Sequence, residues 1–363
     1  MNNLISGKVI IDLQFGSTGK GLISGYLAES DQPDTVVTAW APNAGHTYID
    51  GSGRKYIHTM LANGVVSERL MRVLIGPGSV IDAAALRREI TACGDHLLGV
   101  DIVIHPHAAV VTQRHRDLEQ GPMTKIGSTK KGVGEAMIQR IRRDPQDMNT
   151  AMGEGGQPHQ ELVAWGLGGH VASVESYNSN LDRARFIQIE GAQGYSLSMY
   201  HGFYPYTTSR DVSLFQTLAD CGIPAAMLSD LEVIGTCRAF PIRVGNRYDD
   251  AGNQIGWSGP CYRDQREISF EEIDQPIELT TVTKLPRRVF TFSHLQLQEA
   301  VRMNRVDHIF LNFVNYLPEH EQSDFFKRVE RVAKRAAGGC SLSYIGKGPT
   351  KNCVFRRVGS DLL

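Results

Sequence analysis

The chain has no surplus of charge, since 38 Lys+Arg stand against 39 Asp+Glu for a formal net charge of −1. Such a balance creates no general field toward nucleic acid or an anionic membrane, so any anion must be caught locally. No apolar run approaches the roughly 18 residues of a membrane span. Met1 to Lys8 lack the basic and apolar regions of a secretion signal. The expectation is a cytoplasmic protein whose partners are neither membrane nor nucleic acid. Cysteine is sparse, six in 363 residues, with no C-x-x-C pair and no regular ladder. That excludes a disulfide scaffold and suggests reduced, mostly packed thiols. A composition of 41% hydrophobic and 21% charged residues excludes disorder, collagen and coiled coil. No composition shift marks a boundary, so a single domain over residues 1–363 is expected.

Glycine is what the chain has in excess: 37 residues, clustered in short motifs rather than in a linker. Apolar runs at 8–15, 35–39, 72–75, 101–105, 186–190, 226–228 and 307–314 read as strands, several apolar enough to be covered on both faces. Helical patterns lie between them at 19–29, 82–93 with Asp82 as N-cap, 134–143, 209–221, 293–302 and 319–337. The alternation predicts an α/β fold with a large, mainly parallel sheet flanked by helices. A small hairpin is predicted at 47–58 around Gly51-Ser52-Gly53. The polar, glycine-rich stretch 245–275 reads as an irregular excursion of the functional or mobile kind.

The strongest local signal is Gly16-Ser17-Thr18-Gly19-Lys20-Gly21, after a buried strand and at the start of a helix. Backbone N–H groups, a helix N-terminus and one lysine make a phosphate cradle there. It is not a Walker A loop, because Gln14 and Gly21 stand where that pattern needs Gly and Ser/Thr. Taken alone, the same letters also suit a glycine turn with a solvated lysine. Pro42-Asn43-Ala44-Gly45-His46-Thr47 follows the next strand, which makes His46 a candidate acid or electrostatic stabiliser at the same sheet edge. A third glycine loop, Ile126-Gly127-Ser128-Thr129-Lys130-Lys131-Gly132-Val133-Gly134, offers hydroxyls, ammonium groups and backbone donors of a helix start to an anion. Its helix ends in Arg140-Ile141-Arg142-Arg143, a cluster that also suits a solvated face. The strand at 186–190 runs into Gly191-Ala192-Gln193-Gly194, and Tyr204-Pro205-Tyr206-Thr207-Thr208-Ser209 follows.

In this order, from Gly16 to about Pro349, the motifs resemble the adenylosuccinate synthetase family and its P-loop-NTPase-like fold. Phe240 to Gly245 and Leu285 to Val289 look like that family's flexible loop and aspartate loop. The resemblance implies a ligase that joins the amine of aspartate to C6 of a 6-oxopurine nucleotide after a nucleoside triphosphate has phosphorylated O6. It further implies that Gly16, Ser17, Thr18, Gly19, Lys20 and Gly21 hold the triphosphate with Gly45, His46 and Thr47, and that His46 stabilises the moving phosphoryl group. Mg²⁺ would neutralise the remaining charge, with Ser17 and Gly45 as its protein ligands. Asn43, Ser128, Thr129 and Thr208 would hold the nucleotide phosphate, joined by Arg143 from the partner of a homodimer, while Gln193 touches the base. Thr281, Thr283 and Arg287 would hold L-aspartate.

Three departures refine that expectation. The family carries a catalytic Asp after the first loop glycine, and here it is Ser17. A hydroxyl is no useful base near neutral pH, but it is smaller and can accept from an exocyclic amine, so the pocket admits a 2-aminopurine such as guanine. Leu285 stands where the family's arginine approaches the ribose, which favours a 2′-deoxyribose. The guanine-reading Lys-x-Asp of the family is replaced by Asn312-Phe313-Val314-Asn315, and Asn312 and Asn315 suit adenine better. Gly346, Gly348 and Pro349 match the segment that closes over the base. The combination looks like the phage-type branch, whose members make N6-succino-2-amino-2′-deoxyadenylate from dGMP, aspartate and ATP or dATP for 2-aminoadenine DNA. A synthetase acting on IMP, and a catalytically dead nucleotide-binding regulator, are the alternatives.

Overall fold

A computed structural model of the chain describes residues 6–119, 130–143, 150–151, 156–280, 284–359 and 361–362. Ten strands form one sheet: β1 (Ser6–Asp12), β2 (Thr35–Thr38), β3 (Arg72–Ile75), β4 (Asp101–Ile104), β5 (Phe186–Glu190), β6 (Leu231–Arg238), β7 (His308–Asn312), β8 (Ser341–Gly346), β9 (Val354–Val358) and β10 (Asp361–Leu362). Their spatial order is β10-β9-β8-β7-β6-β1-β5-β2-β3-β4. From β8 to β4 every pairing is parallel, and only β9 and β10 run antiparallel. The expected α/β class and parallel sheet are therefore present, and the chain beyond Gly346 adds an antiparallel edge that the sequence reading did not anticipate.

β1 is central, with β5 on one side and β6 on the other. Its successive side chains face opposite layers. Val9 and Ile11 pack into the core shared with Leu297, Val301 and Phe325, whereas Ile10 packs with Leu22, Ile23 and Leu27 of α1 (Lys20–Asp31). Most of the expected helices appear within a residue or two, including Ala83–Cys93, where the Asp82 side chain accepts from Ala85 N at 2.9 Å. The helix expected over 209–221 is shorter, Leu214–Asp220, because the Ser213 side chain caps it by accepting from Gln216 N.

One strand was misplaced. Residues 226–228 lie inside a 3₁₀ segment, Ala225–Asp230, and the strand follows as β6. A short apolar triplet does not discriminate helix from strand. The true strand, with Glu232, Gly235, Thr236 and Arg238, does not look like a buried one. The excursion over 245–275 holds a ribbon of Arg247–Tyr248 with Gln254–Gly256, and then Glu267–Ile268, which pairs with Arg288–Phe290 beside Ile242–Arg243. The predicted hairpin forms from His46–Ile49 and Lys55–His58, with Gly53 at φ 91° in its turn.

The hairpin docks on α1 through fully buried Tyr48, whose ring lies where a Cβ on Gly25 would sit, 2.3 Å from it. Gly25→Ala should therefore destabilise the protein by about 1–3 kcal/mol despite alanine's better helix propensity. Urea denaturation checks this, and an unchanged or higher midpoint would contradict the packing argument.

Candidate active site

The parallel register places the ends of β1, β2, β5, β6, β7 and β8 on one edge of the sheet, where an open α/β sheet binds ligands. After β1 the chain turns through Gly16 (φ 91°), Ser17 (φ 56°) and Gly19 (φ 98°) into α1, a run of left-handed residues that points backbone N–H groups into a shared concavity. Beneath it lies Asp12, 2% exposed. Its Oδ1 accepts from Gln14 N at 2.8 Å and Gly16 N at 3.2 Å, while Oδ2 accepts from the Thr18 hydroxyl and, at 2.9 Å, from Lys20 Nζ. Asp12 was passed over in the sequence as an interior residue of the apolar run 8–15. A lone carboxylate directly before a glycine loop was the available signal.

Lys20, 4% exposed, also donates to the Gln193 carbonyl at 2.9 Å. Gln193, at φ 63°, turns its side chain toward the β2 loop and donates to Asn43 Oδ1 at 3.1 Å. The loops after β1 and β5 press together so closely that a Cβ on Gly194 would lie 2.3 Å from Gly16 N. Three motifs widely separated in the sequence thus meet through Lys20, Gln193 and Asn43.

His46 completes this group. Its Nδ1 lies 2.7 Å from Glu190 Oε1, its ring is 4.2 Å from that of Trp40, and Glu190 Oε2 accepts from Asn63 N at 2.7 Å. Burial lowers the His46 pKa below the ordinary histidine value; nearby Lys20 adds to this and the bond to Glu190 opposes it. For Glu190, burial works against the charge, but the hydrogen bond and charge of His46 and the Asn63 N–H hold its carboxyl below the usual range. An ionised Glu190 holds the proton of His46 on Nδ1, so that Nε2 carries a lone pair in the neutral ring and becomes a donor in the imidazolium. Glu190 was quoted in the sequence without a role.

On the other side of the loop, Arg238 is fully buried, pairs with Glu278, donates to the Ser17 carbonyl at 3.4 Å and stacks 3.8 Å from the Phe313 ring. Gln14 ties the same strand end to the loop by accepting from Arg238 N at 2.9 Å. Asn312 does not present its amide to a base as expected. It is 3% exposed, donates to the Thr18 carbonyl at 3.2 Å and accepts from Phe313 N at 2.8 Å. It is a spacer between Gly19 and Gly346, where a Cβ on either would meet it at 2.2 Å. Asn315 and Pro349 are exposed, and Gly348 is half-buried.

Elsewhere, Gly45, Thr47 and Thr208 are half-buried, and Thr208 N donates to the Leu197 carbonyl at 2.8 Å. The Thr47 backbone packs on α1, 2.7 Å from where a Gly21 Cβ would be. Arg287 lies beside Glu278. Burial lowers its pKa, and its Nε donates to the Leu279 carbonyl at 3.3 Å. Among the described residues its terminal nitrogens carry no hydrogen bond, which leaves a guanidinium fork for a carboxylate. Ser128, Thr129, Thr281 and Thr283 lie outside the described residues. The helix start beyond the third glycine loop is not free for an anion, because buried Glu119 already accepts from Gly132 N at 2.6 Å and Gly134 N at 2.7 Å. Arg143 is exposed at the end of its helix, and its Nε donates to the Ile141 carbonyl at 3.2 Å.

The family model described as adenylosuccinate synthetase matches residues 9–156 and 167–324. The chain belongs to the adenylosuccinate synthetase family. It is 50% identical to an N6-succino-2-amino-2′-deoxyadenylate synthase of Salmonella phage PMBT28, with 98% of both chains covered. The succinoaminodeoxyadenylate synthetase of cyanophage S-2L, solved with dGMP and with dATP as an energy donor, superposes with a TM-score of 0.85 at 41% identity, over 97% of this chain and 95% of that one. The adenylosuccinate synthetase of Plasmodium falciparum shares the fold at 20% identity and a TM-score of 0.76, covering 97% of this chain and 100% of that one.

In this synthetase, removing the charge on Glu190 should change how His46 titrates. Glu190 raises the His46 pKa against burial, so Glu190→Gln should move the imidazole midpoint further down and reduce the fraction protonated at neutral pH. Histidine NMR titration measures it. An upward shift would mean that Glu190 does not govern the ring.

Proposed function

We propose that this synthetase joins L-aspartate to C6 of dGMP with ATP or dATP as phosphoryl donor, giving N6-succino-2-amino-2′-deoxyadenylate, the nucleoside diphosphate and phosphate. The observation that carries this is Ser17, exposed at the crest of an otherwise intact phosphate loop, where the family places Asp. The phage relatives carry the same activity in their names. A direct displacement of the 6-oxo group by an amine is slow because oxide leaves poorly. Transfer of the γ-phosphoryl group to O6 breaks the bond to the diphosphate, releases the N1 proton of the base and makes phosphate the leaving group. The aspartate amine then adds at C6, phosphate departs and the amine loses its proton.

The loop N–H groups and Lys20 hold the donor phosphates, and His46, as the imidazolium that ionised Glu190 supports, donates from Nε2 to the charge that develops as the phosphoryl group moves. Gln193 and Asn43 lie on the acceptor side, with Thr208, Ser128 and Thr129 for its phosphate; Arg287, Thr281 and Thr283 receive the aspartate carboxylates. With a hydroxyl at Ser17, space opens beside C2 of the purine, and Leu285 offers no partner to a 2′-hydroxyl. Since Asn312 is committed to the loop, the donor base is read by Asn315 and by the backbone from Gly346 to Pro349. Ser17 Oγ and the Gly45 carbonyl would hold Mg²⁺, which takes few protein ligands and fills its shell from phosphates and water. It would neutralise phosphate charge. No cluster of three His, Cys, Asp or Glu exists among the described residues to hold it otherwise.

The same reading makes the enzyme a homodimer that shares Arg143. Arg143 ends a helix (Val133–Arg142) that exposes Ile138 at 38% and Ile141 at 65%. Among the described residues, no helix is long and apolar enough to cross a membrane, and the proposed place of action is the host cytoplasm.

Phosphate release in the presence of aspartate should be fast with dGMP and slow with IMP, and ATP or dATP should support it where GTP at an equal subsaturating concentration does not. Faster turnover of IMP would overturn the assignment. Ser17→Asp should crowd the 2-amine and move the dGMP-to-IMP ratio about tenfold or more toward IMP, the equivalent of a misplaced buried contact of about 1–3 kcal/mol. Arg143→Leu should raise the dGMP KM and spare that for ATP. Mixing it with a His46 variant should recover activity in hybrid dimers, whereas no recovery in a verified heterodimer would mean that each site is built within one chain.

A further inference from the structure

Resting on this phosphoryl-transfer reading, we propose that Asp12 is a positioning residue for the reaction, acting through Lys20. Its two oxygens divide the work. Oδ1 serves the loop backbone at Gln14 N and Gly16 N, whereas Oδ2 faces the Thr18 hydroxyl and, at 2.9 Å, Lys20 Nζ. An ammonium has three N–H directions and no others. Asp12 takes one, and the Gln193 carbonyl, also at 2.9 Å, takes the second. The third is then fixed in space and is the one a phosphate oxygen can meet.

Both partners are buried, Asp12 at 2% and Lys20 at 4% exposure, so the ammonium cannot exchange Asp12 for water without moving. With Ser17 at the crest, Asp12 is the one carboxylate between Ser6 and Asp31 that the site can use, the others being Glu29 and Asp31 at the far end of α1. It points beneath the loop, where it can orient Lys20 and cannot take a proton from the purine. Lys20 held in this way bridges the donor loop to the Gln193 segment that faces the acceptor, so its direction matters to the transfer and less to the capture of either nucleotide.

The test is a double-mutant cycle read as single-turnover phosphoryl transfer per titrated site, using the full-length enzyme with ATP, aspartate and whichever of dGMP or IMP the wild type turns over. That choice separates a failure of the substrate assignment from a failure of this proposal. Asp12→Asn keeps an oxygen for Gln14 N and Gly16 N and presents an N–H₂ to Lys20. It should slow transfer about 100-fold, on the scale of losing one preorganised donor, while the ATP and aspartate KM values change less than about threefold. Lys20→Met should cost at least as much, and the double variant Asp12→Asn/Lys20→Met should match Lys20→Met alone. If the two losses multiply, Asp12 shapes the loop independently of Lys20 and the proposal is wrong. It is equally wrong if Asp12→Asn stays within threefold of wild type. Thr18→Val removes the other Oδ2 partner and should cost less than tenfold; a loss equal to that of Asp12→Asn would assign the effect to the hydroxyl instead.

Discussion

Everything the site does depends on the parallel register of β1 between β5 and β6. Parallel strands end together, so the loops that follow them converge on one edge even when their residues lie far apart in the chain. Lys20 and Gln193 are joined at 2.9 Å across 173 positions, and His46 and Glu190 at 2.7 Å across 144. A slip of one residue in β1 or β5 would turn alternate side chains to the opposite face and separate these pairs.

On that frame the catalytic group is arranged as two buried acid–base pairs. Asp12 pairs with Lys20 beneath the glycine-lysine loop, and Glu190 pairs with the His46 imidazole. Neither carboxylate reaches toward the ligand side. Each holds a nitrogen in place, as the phosphoryl transfer proposed above would require. The crest of the loop presents a hydroxyl at Ser17 and no carboxylate.

A second set of buried charges makes the scaffold rigid where the loops could otherwise splay. Arg238 holds the Ser17 carbonyl from below while paired with Glu278, and Arg243, its pKa lowered to about 9 by burial, ties the Tyr206, Ser258 and Pro260 carbonyls together beside Phe15. Such charges are tolerated in the interior because each is paired or hydrogen-bonded, and removing a partner would leave the other uncompensated. In the small sheet of Ile242–Arg243, Arg288–Phe290 and Glu267–Ile268, Arg243 stands opposite Arg288, which pairs with Glu267.

Local chemistry was legible in the letters. The glycine-lysine loop, the Asn43 to Thr47 motif, the Gly191 to Gly194 turn, the Asp82 cap and the hairpin all depend on neighbours a few residues away, and their side chains announce the turn or the ligand they serve. The α/β class was legible for the same reason, through runs apolar enough to be covered on both faces. What needed the fold were the residues whose partners are distant. Asp12 reads as part of the apolar run 8–15 until the loop brings Lys20 back over it and Lys20 in turn meets the distant Gln193. Glu190 reads as the end of another until His46 arrives from the β2 loop. Asn312 reads as a base contact until Gly19 and Gly346 close around it, and the helix start after the third glycine loop reads as open to a phosphate until Glu119 occupies it. β6 was missed because burial between β1 and β7 lets a strand carry Thr236 and a charged Arg238 that the local pattern would not allow. In each case the deciding quantity is a buried polar group's need for a partner, and only tertiary structure determines which partner it finds.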